Sequence, residues 1–397
     1  MHAPRNTSHH SSHTSHRLDN AAVLTRTPAD IADIADIALV HDYLTQRGGA
    51  ERVALCMLKA FPSAALYTTL FEPSATYPGF QQHQVVTSPL NRLGVFRRHH
   101  RLSLPLLAPA VSSMHVPAKV TICSSSGWSH GVQAAGRKVV FCHAPARWLY
   151  QGSRYLGAHN VPAKLALAAL SSPLQRWDRR AALSAHRYLA VSTMVSQQIK
   201  DAYGIESEVL ASPVTLNPSE VAREVPGVEP GYLLLVSRLL PYKNVDLAVQ
   251  AMKDLPDHCL FVVGKGPERE RLEREAPSNV KLLGTVTDEE LRWLYQNSVA
   301  IIAPSFEDFG LTPLEGAVAG KPTIALRAGG YLDTVVEGIT GVFFDKVEPK
   351  ALRQAVVTAL SEHWDGPAIQ AHASLFSEDR FARRLRQIVA EEIEFLN

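Results

Sequence analysis

Six apolar runs of strand length, separated by amphipathic segments, fill the second half of the chain and leave few folds open. They are YLLLVS (232–237), LFVVG (260–264), VKLLG (280–284), VAIIA (299–303), PTIAL (322–326) and GVFF (341–344). Continuous rather than alternating hydrophobicity means strands covered on both faces. With helices between them, that means a parallel, doubly wound sheet. The spacing predicts a helix near 244–254 capped by Asn244, one opened by Pro267, and one begun by the capping box Thr287-Asp288-Glu289-Glu290. The first half is similar but less regular. IALV (37–40), ALYTTL (65–70), VTIC (120–123), KVVFC (138–142) and RYLAV (187–191) read as strands, residues 50–61 as a helix, and 92–116 and 160–183 as longer insertions. The expected organisation is two Rossmann-like domains, 36–213 and 231–377, whose strand carboxyl ends face a central cleft. A proline-bearing linker (214–230) joins them, and an amphipathic closing helix (378–397) follows. Residues 1–35, with HHSSHTSH and little apolar content, read as a disordered leader without the hydrophobic segment of a signal peptide.

The segment 306-FEDFGLTPLEGAVAGKP-322 concentrates chemistry at one such strand end. Glu307 and Glu315 flank the turn Phe309-Gly310-Leu311. Thr312, Pro313 and Glu315 fit the N-cap, N1 and N3 positions of a helix, and a helix start at a strand's carboxyl edge is a place where phosphate binds. Taken alone, T-P-L-E is a capping box and nothing more. With Glu307 ahead of it, and Gly316 and Gly320 behind, a ligand site is the better reading.

Three other loops follow strands in the same way. The Gly48-Gly49 pair opens a helix, where backbone can approach a diphosphate, and Glu51 reads as a first-turn carboxylate favoured by the helix dipole. In 236-VSRLLPYKNVD-246, Arg238 and Lys243 have no carboxylate in the loop before Asp246. A guanidinium fork and an ammonium there suit one anion. In FVVGKGPERERL (261–272), Gly264 and Gly266 are followed by Arg269 where a dinucleotide fingerprint needs its third glycine, so an NAD-type reading is poor. His143 ends a first-domain strand, where an isolated histidine is more often structural.

Taken in register, these segments resemble the retaining glycosyltransferases of family 4, which have the GT-B fold. The resemblance runs from about residue 36 to 395 and rests on the E-x7-E segment, G-G-A-E, S-R-L-x-x-x-K and C-H-x-P. It implies that Glu307 lies beside the donor sugar, that Glu315 holds the ribose, and that the backbone of Phe309, Gly310, Leu311 and Thr312 touches sugar and phosphates. It further implies that Arg238 and Lys243 clamp the diphosphate, that Gly266 lies near the base, and that His143 contacts the sugar. Arg147, Trp148 and Tyr150 would then flank the acceptor, and the closing helix would cross back onto the first domain. The order of the motifs looks most like bacterial mannosyltransferases of surface-polysaccharide assembly. This implies GDP-mannose as donor, a glycan or lipid-linked acceptor, and no metal cofactor.

Composition sharpens the partner classes. Between Glu72 and Asp178 the chain has no carboxylate and eleven Lys and Arg residues. The remainder has 40 − 11 = 29 basic against 38 acidic residues. The segment 92–109 interleaves Arg92, Arg97, Arg98 and Arg101 with leucines, a pattern suited to an anionic membrane surface. No nucleic-acid motif accompanies the charge. Cys56, Cys123, Cys142 and Cys259 are far apart and read as buried free thiols of a cytoplasmic protein, with neither disulfide nor metal. The expected function is transfer of a sugar, mannose favoured, from a nucleotide diphosphate. The rivals are a GT-B epimerase acting on donor alone and a nucleotide-sugar-binding scaffold without catalysis.

Overall fold

The computed structural model describes residues 37–150 and 161–396. The histidine-rich leader and residues 151–160 lie outside these bounds. The apolar runs form two wholly parallel sheets. The first has seven strands: Ile37–His41, Ala65–Thr68, Val85–Thr87, Val120–Ser125, Arg137–Cys142, Arg187–Ala190 and Glu208–Val209. Across that sheet they stand in the order third, second, first, fourth, fifth, sixth, seventh. The six strands of the second sheet, Tyr232–Val236, Leu260–Val263, Val280–Gly284, Ser298–Ala303, Thr323–Leu326 and Gly341–Phe344, repeat the order third, second, first, fourth, fifth, sixth. In both sheets the winding reverses between the first and fourth strands, and the carboxyl ends of that pair open a crevice. Two of those ends carry His41 and Ser124 in the first sheet, and the loops Ser237–Lys243 and Pro304–Gly310 follow the corresponding pair in the second. The GT-B architecture expected from the sequence is present.

The two domains are tied together twice. Val214 pairs with Ser377 in a parallel bridge, so both interdomain passages of the chain run side by side. Helix Glu378–Glu394 then lies on the first domain. Its Phe381, Leu385, Ile388 and Val389 join the core that contains Leu39, Val53 and Phe141. Ion pairs hold its polar rim, among them Lys59–Glu378 at 2.8 Å, Arg384–Glu208 at 2.6 Å and Arg137–Glu392. A helix without an apolar stripe of this kind would not stay on a foreign domain, because exposed ion pairs contribute little by themselves.

Several local expectations are corrected. Asn244 does not cap its helix. Its backbone is left-handed (φ 53°), and its amide donates to Pro304 O at 3.0 Å, joining two loops of the second domain. Pro267 sits in a turn, and the helix begins at Arg269. The Thr287–Glu290 capping box is present. Cys259 is exposed, because it ends the turn before its strand; the other three cysteines are buried.

Leu385 is fully buried at the centre of the returning helix. Leu385→Ala should lower stability by about 2–5 kcal/mol. It should also speed hydrogen exchange in strand Ile37–His41, although that strand lies far away in sequence. Chemical denaturation and amide exchange check the two effects.

Candidate active site

The cleft between the sheets encloses about 390 Å³ and is lined from both domains. Of the residues expected from sequence, Gly48, Gly49, His143, Arg238, Lys243, Glu307, Phe309, Gly310, Leu311 and Thr312 line it. Gly266 and Glu315 are not among its lining residues. Gly266 has a different local reason: a Cβ there would stand 2.1 Å from Leu239 O, so the glycine lets two strand-end loops pack backbone to backbone.

The turn at 309–312 differs from the capping box read from sequence. Gly310 adopts φ +93° and is itself the N-cap of helix Leu311–Val318. A side chain at 310 would be strained there and would also run into the Tyr331 ring, 2.4 Å away. The helix therefore starts two residues earlier than Thr312-Pro313 suggested. Glu315 lies too deep to reach the end. Its carboxylate accepts a hydrogen bond from Tyr295 OH at 2.7 Å. Thr312 Oγ1 turns back toward Val236 O at 3.5 Å, the end of the first strand of that sheet. With the helix end uncapped by any side chain, its free N–H groups face the cleft.

Lys243 is 7% exposed, and its Nζ is bonded to Glu307 Oε1, which also accepts from Ser305 Oγ at 2.6 Å. The loop around Lys243 indeed lacks an acid, but the fold supplies one from sequence-distant Glu307. Burial lowers the Lys243 ammonium from its ordinary value, against the opposing pull of Glu307, and Arg238 and Arg147 add to the lowering. Burial pushes the Glu307 carboxyl upward. The Lys243 charge and hydrogen bond, with Ser305 and Arg147, outweigh this and leave it below its ordinary value. Arg238 is exposed at the rim, with Nη2 donating to Tyr242 OH at 3.0 Å. Arg147, from the first domain, pairs with Asp308 across the cleft, and Ser192 Oγ donates to Asp308 O at 2.5 Å. Three cations thus converge on the helix end.

The opposite wall was harder to foresee. Glu51, read from sequence only as a first-turn carboxylate of its helix, lines the cleft although it is only 2% exposed. Its Oε1 accepts from Gln46 Nε2 at 3.0 Å. A Cβ on Gly48 would come within 2.6 Å of its Oε2. Gly48 therefore makes room for a carboxylate, and a carboxylate in the first helical turn opposes a diphosphate at that helix end. Gly49 serves domain approach, since a Cβ there would meet Leu311 Cδ1 at 3.2 Å. Asp42, also unflagged, accepts from the backbone N–H groups of Ser126 and Ser129 at 2.7 and 2.6 Å and so fixes that cleft loop. The only available signal for either acid was its place just after a strand or a glycine pair.

Removal of Lys243 should invert the titration of its partner. In the native protein the Glu307 carboxyl is held below its ordinary value of 4.5, so its contribution to stability is present above that pH and is lost as pH falls through the depressed value. In Lys243→Ala only Ser305 and Arg147 still oppose burial, and the carboxyl rises from its native position. The variant should then be destabilised by about 3 kcal/mol at neutral pH, with the gap to wild type narrowing on acidification. Urea unfolding at several pH values reads the effect.

Residues 219–370 match the family described as Glycosyl transferases group 1. Glycogen synthase of Thermus caldophilus is 32% identical over 182 residues, which is 44% of this chain and 42% of that protein. The GDP-mannose-dependent alpha-(1-6)-phosphatidylinositol monomannoside mannosyltransferase of Mycolicibacterium smegmatis is 30% identical over 147 residues, 33% of this chain and 38% of that protein. The matched segments thus span less than half of these relatives. The crystal structure of Anabaena HepE in complex with UDP and glucose superimposes with a TM-score of 0.67 at 18% identity, over 90% of this chain and 100% of that chain. The stretch that matches the glycosyl transferases group 1 family thus contains Arg238, Lys243, Glu307 and Glu315, on a chain whose fold is GT-B.

Proposed function

We propose that the protein is a retaining glycosyltransferase that moves mannose from GDP-mannose to a hydroxyl of a glycan or lipid-linked acceptor. The observation that carries the reading is the convergence of Arg238, Lys243, Arg147 and the uncapped end of helix Leu311–Val318 on one cleft between two doubly wound sheets. Preorganised cations and N–H groups stabilise the charge that develops on a departing diphosphate. They supply that help from the protein's own residues, and the scheme invokes no metal. Lys243, parked on Glu307, would share its remaining donors with the phosphates. Glu307 is engaged by Lys243 and Ser305. In this scheme it orients the sugar and does not attack it, so the acceptor enters on the face from which the diphosphate leaves. Preference for mannose and guanine rests on the mycobacterial relative. An epimerase or a silent scaffold would use the same clamp, but neither draws support from the group 1 family.

A thermal-shift panel of GDP-mannose, UDP-glucose and the free diphosphates tests the donor, because a ligand at 100 times its Kd adds about 2.7 kcal/mol of stability. Arg238→Ala and Lys243→Ala should each lose at least about tenfold in turnover, since charge-assisted contacts are worth about 1.5–3 kcal/mol. Glu315→Gln should weaken nucleotide binding, whereas Glu307→Gln should chiefly lower kcat. Isothermal titration with GDP, beside steady-state rates, separates these outcomes.

We further propose that the enzyme works at the cytoplasmic face of an anionic membrane. Among the described residues no helix is long and apolar enough to cross a bilayer. The short helices from Pro89 to Ser112 expose Leu93, Val95, Leu102 and Leu106 beside exposed Arg92 and Arg98. Arg97, expected to join them, is tied to Glu72 at 3.2 Å and to Asn91 O at 2.6 Å, and Leu107 is buried. The paired change Leu102→Glu with Leu106→Glu should abolish co-sedimentation with phosphatidylglycerol vesicles. Equal recovery with neutral and anionic vesicles at low salt would refute the proposal.

A further inference from the structure

On the first-domain wall of the cleft, one buried carboxylate oxygen has nothing to bind. Glu51 stands in the first turn of helix Gly49–Ala60 and is almost wholly buried, yet it lines the cleft. Its two oxygens differ. Oε1 accepts from Gln46 Nε2 at 3.0 Å and lies 3.8 Å from His41 Nε2. Oε2 is buried and has no hydrogen-bond partner. Whichever protons His41 carries, the nitrogen turned to Glu51 faces Oε1, so Oε2 stays open.

The surroundings hold that oxygen in place. The backbone of Gly48 is extended (φ −141°, ψ 178°), a conformation open to any residue. Its glycine is needed for space, because a Cβ would come within 2.6 Å of Oε2. Gln46 fixes the other oxygen and with it the plane of the carboxylate. Burial pushes the Glu51 carboxyl up, but His41, Gln46 and its own backbone N–H outweigh this and leave it below its ordinary value. A charged oxygen buried without a donor is costly, and the cleft is the side from which a donor can arrive.

Charge and proton count define that donor. A carboxylate only accepts, so a phosphate oxygen is repelled and the ligand must bring its own proton. Among the described residues no three His, Cys, Asp or Glu side chains are grouped to hold a metal ion. A ring hydroxyl of a neutral sugar meets the requirement, and a hydrogen bond to a carboxylate is stronger than one to a neutral acceptor.

We propose that Glu51 is a specificity-determining residue whose Oε2 takes a hydrogen bond from a ring hydroxyl of a neutral sugar in the cleft, with Gln46 and Gly48 aiming it. The glycosyl-transfer reading above enters only in saying which ring brings the hydroxyl, the transferred sugar or the acceptor.

Glu51→Gln tests the subsite. Gln46 keeps the amide oxygen, and an NH2 group then stands where the open acceptor was. Isothermal titration with GDP, GDP-mannose and UDP-glucose reads the donor arm. Saturation-transfer NMR with methyl α-D-mannopyranoside and methyl α-D-glucopyranoside, in the presence of GDP, reads the acceptor arm. The variant should bind GDP as tightly as wild type and lose at least about tenfold for a sugar ligand. Loss confined to the nucleotide sugar assigns the hydroxyl to the transferred sugar. Loss confined to the methyl glycosides assigns it to the acceptor. Gly48→Ala keeps the charge but drives Oε2 aside, and should lose the same sugar ligand. Unchanged affinity for every sugar ligand in both variants, or an equal loss of GDP and the nucleotide sugars, would overturn the inference. Turnover measured beside binding separates the two readings. Sugar transfer by a protein whose affinities ignore Glu51 sinks the subsite alone, and a Glu51-dependent sugar ligand without transfer sinks the transferase alone.

Discussion

The ion pair between Arg147 of the first domain and Asp308 of the second fixes how the two halves of the cleft face each other. Asp308 is 6% exposed, so its charge must be met at short range, and the partner comes from across the cleft. Around this contact the apolar residues Phe309 and Leu314 of the second domain enter the core of the first, and Leu311 reaches over Gly49. Domain closure is therefore coupled to the turn that carries Glu307. A change in the angle between domains would move Arg147 away from Asp308 and the helix end away from the glycine loop together.

Given that register, the cleft is electrostatically two-sided. The wall of the second domain presents Arg238, Lys243 and free helix N–H groups, while the first presents Glu51 in the opening turn of its helix. A helix start on each wall, one behind the Gly48-Gly49 pair and one behind the turn at Gly310, suggested two phosphate sites. The Glu51 carboxylate neutralises one of them by occupying the positive end of its own helix dipole. An anion is drawn to a single wall, and what extends toward the other must be able to donate hydrogen bonds. A sugar linked through its anomeric carbon to a diphosphate has that polarity.

Much of the frame was legible in the sequence because the signals for it are local. Continuous apolar runs gave the sheets, and the stripe Phe381, Leu385, Ile388 and Val389 marked the closing helix, whose return onto the first domain came from the family resemblance and not from the stripe itself. The short strands Val85–Thr87 and Glu208–Val209 were not legible. They lie two and three places out from the central pair, at the two edges of the sheet, and they carry too few apolar residues to stand out from loop. The capping box at Thr312 was misread because the positive φ of Gly310 is not visible in composition, and a glycine able to end the loop sooner moves the helix start. Asn244 failed as a cap for the same kind of reason: its left-handed backbone aims the side chain at Pro304.

Within the site, what sequence could supply was the list of strand-end residues, and what it could not supply was their pairing. Lys243 and Glu307 were each picked out as ligand-binding, yet nothing local says that one neutralises the other, because the contact spans two strand ends of the sheet. The same holds more strongly for His41, Ser124 and Asp42. A histidine or serine at a strand terminus is chemically ordinary. It becomes part of a site only when the strand order 3-2-1-4-5 brings the first, fourth and fifth strands side by side, setting His41, Ser124 and His143 within hydrogen-bonding reach. Parallel pairing is what makes this possible, since all strands end on the same edge and their last side chains form a single row. The topology that covers both faces of each sheet with helices thus also collects the polar residues at one end, where water and substrate can reach them.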